Sequence, residues 1–267
     1  MERKVRIMGI LNVTPDSFSD GGACTTEPGL GARIEQLLAE GADIIDVGGE
    51  SSRPFAEAVS AAEELARVLP AIRAIRARST VPVSIDTTKA VVAREALAAG
   101  ATMINDISAL GHDPAMVEVI RSSQGPVIIM HMQGVPGDMQ VRPQYGDVVA
   151  EINAFFTERI ASLQQQGIAR ERVVIDPGIG FGKSLEHNLT IIRNIKEFKV
   201  HGCPVLIGHS RKSFLGQLLD IPVSERDCPT AVVSAFCVLQ GADILRVHDV
   251  RATRQAVKLM SALACEG

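Results

Sequence analysis

Arg246 and His248 stand two positions apart, with Val247 between them. On a β-strand that spacing puts both side chains on one face. A guanidinium and an imidazole side by side suit an anion such as phosphate or carboxylate. Arg53, Arg211 and Lys212 are further candidates for the same task. Asp86, Asn105 and Asp176 each follow directly on a short Val/Ile-rich or Met/Ile run. Short hydrogen-bonding side chains on rigid strands suit a flat polar heterocycle that offers both donors and acceptors. Asn12 adds an amide oxygen that can ligate Mg2+, an ion that keeps several waters and takes few protein ligands.

Such groups need a frame that brings distant segments to one place. Eight short apolar runs, at 5–11, 44–47, 83–85, 103–104, 127–130, 173–175, 205–207 and 244–247, alternate with amphipathic stretches along the chain. Runs of this kind are strands buried on both faces, and strand–helix alternation makes a parallel sheet. Eight units predict an α/β fold closed into a (β/α)8 TIM barrel, with an open doubly wound sheet as the other architecture the pattern allows. No linker or shift in composition divides the chain, so residues 1–267 are expected to form a single domain. In such a barrel, polar residues at the carboxyl ends of strands carry the chemistry. Asn12, Asp86, Asn105, His131, Asp176 and Arg246 with His248 all fall there. Gly-Ala-Asp or Gly-Ala-Thr recurs at 41–43, 100–102 and 241–243 and marks the turns from helix to strand. Three long loops, at 12–28, 48–58 and 132–146, are candidate lids.

Composition removes several classes of function. The net charge is −4, so no global basic surface invites nucleic acid or membrane. Aromatics make up 3% with no Trp and one Tyr, too few to stack single-stranded bases. The five cysteines lack C-x-x-C spacing, which speaks against zinc or a disulfide framework and for a reduced, cytoplasmic setting. The apolar run at 5–11 is short and lacks a small-residue cleavage site, so no signal peptide is expected. No apolar stretch reaches about 20 residues.

Several candidates have plainer roles. A lone Asp at a strand end commonly caps the next helix. His131 and His209 read best as satisfied structural histidines. The glycine-rich 177–184 stretch fails the phosphate-loop pattern, because Pro177 stands where a Gly is required. The glycine-rich turn instead lets backbone approach a ligand held by Asp176.

The ordered motifs 8–22 (MGILNVTPDSFSDGG), 49–54 (GESSRP), 84–87 (SIDT), 104–107 (INDI), 130–134 (MHMQG), 176–183 (DPGIGFGK), 208–213 (GHSRKS) and 246–249 (RVHD) resemble the dihydropteroate synthase family over essentially the whole chain. The resemblance implies a transferase of folate biosynthesis. Such enzymes join 6-hydroxymethyl-7,8-dihydropterin diphosphate to 4-aminobenzoate, giving 7,8-dihydropteroate and diphosphate. It also implies a homodimer. Asp86, Asn105, Asp176 and Lys212 would hold the pterin, with Ile107, Met130, Gly180 and Phe181 around it. Asn12, Arg246 and His248 would bind the diphosphate, and Asn12 would help to hold Mg2+. Phe18, Ser52, Arg53, Pro54 and Ser213 would lie near the aminobenzoate, which sulfonamides mimic. On this division Arg246→Ala should cut turnover far more than pterin binding.

Two other readings share part of the pattern. A pterin-binding methyltransferase barrel would share Asp86, Asn105 and Asp176, but has no use for a diphosphate set. A non-catalytic pterin-binding module would tolerate loss of the first loop, which is intact here. Neighbouring cations alone do not make Lys212 a Schiff-base nucleophile.

The 49–55 motif departs from the family, with Ser52 for Thr and Phe55 for Gly. Ser52 keeps the hydroxyl, and Phe55 adds bulk. The expected result is altered sulfonamide sensitivity; equal inhibition constants for the enzyme and Phe55→Gly would remove the idea.

Overall fold

The computed structural model describes residues 5–14, 27–51, 59–134, 139 and 143–264. Phe18, Ser52, Arg53, Pro54 and Phe55 lie outside them. Eight parallel strands form the sheet: β1 (Arg6–Asn12), β2 (Ile44–Gly48), β3 (Val83–Asp86), β4 (Met103–Asp106), β5 (Val127–Met130), β6 (Val173–Asp176), β7 (Leu206–Ile207) and β8 (Ile244–Val247). Between and after them come α1 (Glu27–Ala39), α2 (Ala61–Arg76), α3 (Ala90–Ala98), α4 (Met116–Ser122), α5 (Val148–Gln165), α6 (Leu185–Arg193), α7 (Ser213–Leu219), α8 (Asp227–Leu239) and α9 (Val250–Ala264). The strand order is β6-β5-β4-β3-β2-β1-β8-β7. A parallel bridge between Ile175 and Val205 joins the two outer strands, so the sheet closes into the expected (β/α)8 barrel. The sequence places the seventh strand at 205–207. Val205 is instead taken up by that closing bridge, and β7 proper has two residues.

Strand alternation explains the layering. Outward residues such as Ile45, Val47, Ile85 and Ile129 join the large core under the helices. Met8, Ile44, Met103, Ile128, Val174, Leu206 and Ile244 form a separate apolar layer inside the barrel. Two residues further along each strand, the period of two brings a second set inward. That set includes Ile10, Asp46, Asn105, Met130, Asp176, Gly208 and Arg246. The interior thus changes from apolar to polar toward the carboxyl end, because the sequence changes character at those positions.

The repeated Gly-Ala-Asp/Thr turns have a clear job. Gly41, Gly100 and Gly241 all have positive φ, between 84° and 113°, where L side chains are strained. The third residue then captures a strand's free N–H. Asp43 Oδ2 accepts from Ile7 N at 2.8 Å, Thr102 Oγ1 from Val83 N at 3.2 Å, and Asp243 Oδ2 from Val205 N at 2.6 Å. Each turn therefore ends one helix and fixes the start of a neighbouring strand.

Candidate active site

Register brings the first row of the site together. Asn12 pairs with Gly48, Gly48 with Asp86, and Asp86 with Asn105 across four adjacent strands. Gly48 leaves that row open. A side chain there would stand 3.5 Å from Asn12 Oδ1 and 3.6 Å from Asp86 Cβ. Met130 pairs with Asp176 on the opposite side.

Arg246 ties the row together from β8. Its Nε donates to Asp46 Oδ2 at 2.6 Å, and its terminal nitrogen to Asp86 Oδ2 at 2.7 Å. Asn105 Nδ2 donates to the same Asp46 oxygen at 3.2 Å. Asp46 is completely buried, and its Oδ1 has no hydrogen-bond partner among the described residues. It belongs to the candidate site by these contacts, and reading the strand ends alone misses it because it lies inside the 44–47 run. The available signal was a carboxylate interrupting Ile-Ile-Asp-Val, two residues before Gly48 and so on the same inward face.

The electrostatics follow from two carboxylates sharing one guanidinium. Burial pushes the Asp86 carboxyl up; Arg246 opposes this and Asp46 adds to it. Burial also works against the charge of Arg246, but Asp46 and Asp86 outweigh it and hold its pKa above the usual value. Asp176 is pushed up to about 6 by burial, against the Gly178 N–H and the charges of Lys212, Arg246 and Lys183. Burial, with Arg246 beside it, brings the Lys212 ammonium down to about 8.

The β6–α6 loop makes the apolar wall. Gly178 has φ +74°, and a side chain there would fall 2.0 Å from His131 O, so the loop can lie against the end of β5 only with glycine. Asp176 Oδ1 accepts from Gly178 N at 2.8 Å, and Asn188 Oδ1 from Gly180 N at 2.7 Å. The loop presents Phe181 to Met130 and Met139, with Ile107 and Met132 packed alongside. The ammonium of Lys212 sits 4.0 Å from the centre of the Phe181 ring, a cation–π contact. Lys183, only 3% exposed, is a second residue missed from sequence. Its ammonium reaches three acceptors: Phe181 O at 2.9 Å, His131 Nδ1 at 3.1 Å and His131 O at 3.2 Å. Three acceptors match the three N–H bonds of a lysine. Lys183 thus pins the Phe181 loop to β5, although burial brings its pKa down to about 7.

Other candidates separate. His209 Nε2 is within reach of Thr230 O at 3.1 Å and Ser234 Oγ at 2.9 Å, deep in the protein, as a structural histidine would be. His131 is held by Lys183. Arg211 makes a two-point ion pair with Asp227, at 2.6 and 2.9 Å, so its guanidinium serves the β7–α7 loop. Asp106 Oδ1 accepts from Ser108 N and Oγ and shapes the turn after β4. His248 follows directly on β8, where its Nδ1 lies 2.9 Å from Ser210 Oγ. Burial, then Arg211, Arg246, Arg33 and Lys212, hold its imidazole well below the usual pKa. Ser213 lines a cleft of about 350 Å³ with Pro143, Lys183, Leu185, Asn188 and Gln217.

A polar floor, an apolar wall and a cationic side therefore meet at one mouth of the barrel. Known proteins resemble the chain in sequence and in fold. The sequence model of a family described as "Pterin binding enzyme" matches residues 8–248. A dihydropteroate synthase of Escherichia coli K12 is 47% identical over 256 residues, covering 96% of this chain and 90% of that protein. The Yersinia pestis dihydropteroate synthase solved as a sulfonamide drug complex superposes with a TM-score of 0.93 at 43% identity, over 97% of this chain and 94% of that one. The Xanthomonas albilineans enzyme with 4-aminobenzoic acid gives 0.91 at 42%, over 99% and 94%. The chain belongs to the dihydropteroate synthase family of pterin-binding enzymes.

Proposed function

We propose a division of labour for the reaction of this family within the described pocket. The chain is a transferase that joins 6-hydroxymethyl-7,8-dihydropterin diphosphate to 4-aminobenzoate, forming a C–N bond and releasing diphosphate. The observation that carries the assignment of roles is the convergence of Asp86, Asn105 and Asp176 with the Met130–Phe181 wall and Arg246 inside one barrel mouth. Asp86, Asn105 and Asp176 take the donors and acceptors of the pterin edge. Met130, Ile107 and Phe181 cover its faces, and Gly180 gives the loop room for Lys212.

The bond to diphosphate loosens as negative charge grows on the leaving group. Arg246 and His248 face that charge as fixed donors. The pterin ring carries the positive charge left on its methylene carbon, and the Asp176 carboxylate complements it. The aminobenzoate nitrogen is already nucleophilic, so no strong base is required. Ser213 and its cleft suit the aminobenzoate; Phe18, Ser52, Arg53 and Pro54 are assigned there from the sequence resemblance alone.

Asn12 Oδ1 is a neutral hard oxygen in the gap left by Gly48, which fits the kind of donor Mg2+ takes. Among the described residues no group of three His, Cys, Asp or Glu could hold a metal, so water and diphosphate would complete the shell. When bound, Mg2+ supplies positive charge against the diphosphate oxygens.

We also propose that the chain acts as one domain, works in the cytoplasm, and pairs with a second copy. No described helix is long and apolar enough to cross a membrane. Val232, Phe236 and Leu239 form an exposed apolar stripe on α8, and Leu259 and Leu263 another on α9 beside it. Such a patch supports a homodimer interface.

The test mixes purified protein with the pterin diphosphate, 4-aminobenzoate and Mg2+, after its solution mass has been measured. Diphosphate release at a mass of two chains is expected. No release would sink the catalytic assignment, and a monomer at working concentration would sink the dimer.

A further inference from the structure

At the end of β8 the side chain of Ser210 meets both the backbone N–H and the ring of His248. Ser210, 5% exposed, lies in the turn after β7. Its Oγ accepts from the backbone N–H of His248 at 3.2 Å and lies 2.9 Å from His248 Nδ1. A serine hydroxyl has one proton to give. The backbone N–H is a donor and cannot receive it. Among the described residues the only acceptor in reach is His248 Nδ1. If Nδ1 carried the ring proton, the buried hydroxyl would be left without an acceptor, which costs about 1–3 kcal/mol. The arrangement with Nδ1 as acceptor satisfies both groups, and in it the proton of a neutral imidazole sits on Nε2.

The surroundings hold this arrangement in place. Arg33 of α1 donates to His248 O at 2.8 Å and anchors the backbone from the other side. Arg211, next to Ser210, has φ +56°, an unusual conformation for a residue with a side chain. It is held there by Thr230 Oγ1 on its N–H, Arg226 on its carbonyl and Asp227 on its guanidinium. That turn aims Ser210 at β8. Four cations, Arg211, Arg246, Arg33 and Lys212, act on the imidazole and resist a second ring proton, while the adjacent Asp249 accepts from Ala252 N through Oδ1.

We propose that Ser210 is a positioning residue that keeps His248 as a neutral imidazole with its proton on Nε2, so that His248 meets the departing diphosphate as a hydrogen-bond donor and not as its general acid. This rests on the diphosphate role given to His248 above. No proton leaves the ring in this step; the diphosphate departs as an anion that accepts a hydrogen bond from Nε2–H.

Nitrogen NMR of the enzyme, 15N-labelled at histidine, reads the tautomer directly, with His248→Gln assigning the resonance. Expected are a bare Nδ1 and a protonated Nε2 across the pH range of activity. In Ser210→Ala the two tautomers should interconvert, and kcat should fall roughly 10–100-fold with little change in pterin affinity. Ser210→Thr, which keeps the hydroxyl, should recover most of kcat. A protonated Nδ1 or an imidazolium in the wild type would overturn the proposal. So would a kcat for Ser210→Ala equal to that of the wild type. If the tautomer is as expected but His248→Ala, which has no side-chain donor, binds diphosphate as tightly as wild type, the failure lies in the diphosphate role; the donor half of the proposal falls with it.

Discussion

Arg246→Ala is expected to damage pterin binding and turnover together, and to destabilise the fold. From sequence, Arg246 reads as a diphosphate ligand whose loss should spare the pterin. The geometry joins it to Asp46 and to Asp86, the latter proposed above to hold the pterin. It is the counter-ion of both Asp46 and Asp86, with side chains 0% and 15% exposed. Removing one partner of a buried ion pair leaves an uncompensated charge and costs about 3–5 kcal/mol. Asp46 Oδ2 would keep only the Asn105 amide, and its Oδ1 has no partner among the described residues to take over. Asp86, already pushed up by burial, would lose the cation that opposes the shift and would hold its proton more tightly. On the diphosphate role proposed above, the loss of a preorganised donor to the leaving group adds roughly 100–1,000-fold in kcat. Chemical denaturation, pterin affinity by calorimetry and kcat should all worsen. Arg246→Lys should restore part of the stability but not the two-point geometry. Unchanged pterin affinity in a folded Arg246→Ala protein would show that Asp46 and Asp86 do not need their shared counter-ion.

Asp176→Asn should abolish most activity and yet leave the protein more heat-stable. The Asp176 carboxyl lies at about 6, above its ordinary 3.8, with burial as the main cause. Between those values the folded protein binds a proton that the unfolded chain does not. Stability linked to this group is therefore full below the ordinary value and is lost as pH rises through about 6. At neutral pH the ionised carboxylate costs on the order of 3 kcal/mol, since one pKa unit is worth about 1.4 kcal/mol. Asparagine removes that charge and keeps an oxygen for Gly178 N. Lys183 and Lys212, whose charges Asp176 supports, offset part of the gain. Differential scanning calorimetry at neutral pH should still show a higher Tm. On the role proposed above the carboxylate faces the pterin cation, so kcat/KM should drop by about 100–1,000-fold. In the wild type kcat/KM should decline as pH falls through about 6, and the variant should lack that limb. An active variant, or a clearly lower Tm, would contradict the role assigned to this carboxylate.

Both expectations depend on features with different degrees of visibility in the sequence. The eight apolar runs mark the strands because parallel strands buried on both faces must be apolar along their length. The polar residues that follow them mark the working end of the barrel. Asn12, Asp86, Asn105, Asp176, Arg246 and His248 could all be picked out this way. So could the wall, since Ile107, Met130 and Phe181 lie in motifs shared with the family. Asp46 was concealed by the apolar run around it, and Lys183 looked like the tail of a glycine-rich turn.

Local sequence determined which residue lies on which strand face, through a period of two that depends only on backbone geometry. It determined where the helices stop, through glycines that accept positive φ. It could not determine which inward residues meet. Asp46 and Arg246 are 200 positions apart and touch because β1 lies between β2 and β8 and sets their register. Arg211 and Lys212 are adjacent in sequence, yet one is fixed to Asp227 and the other sits over Phe181. The closure of the barrel and the packing of its loops made those choices, because only there do distant charges lose their water and have to find each other.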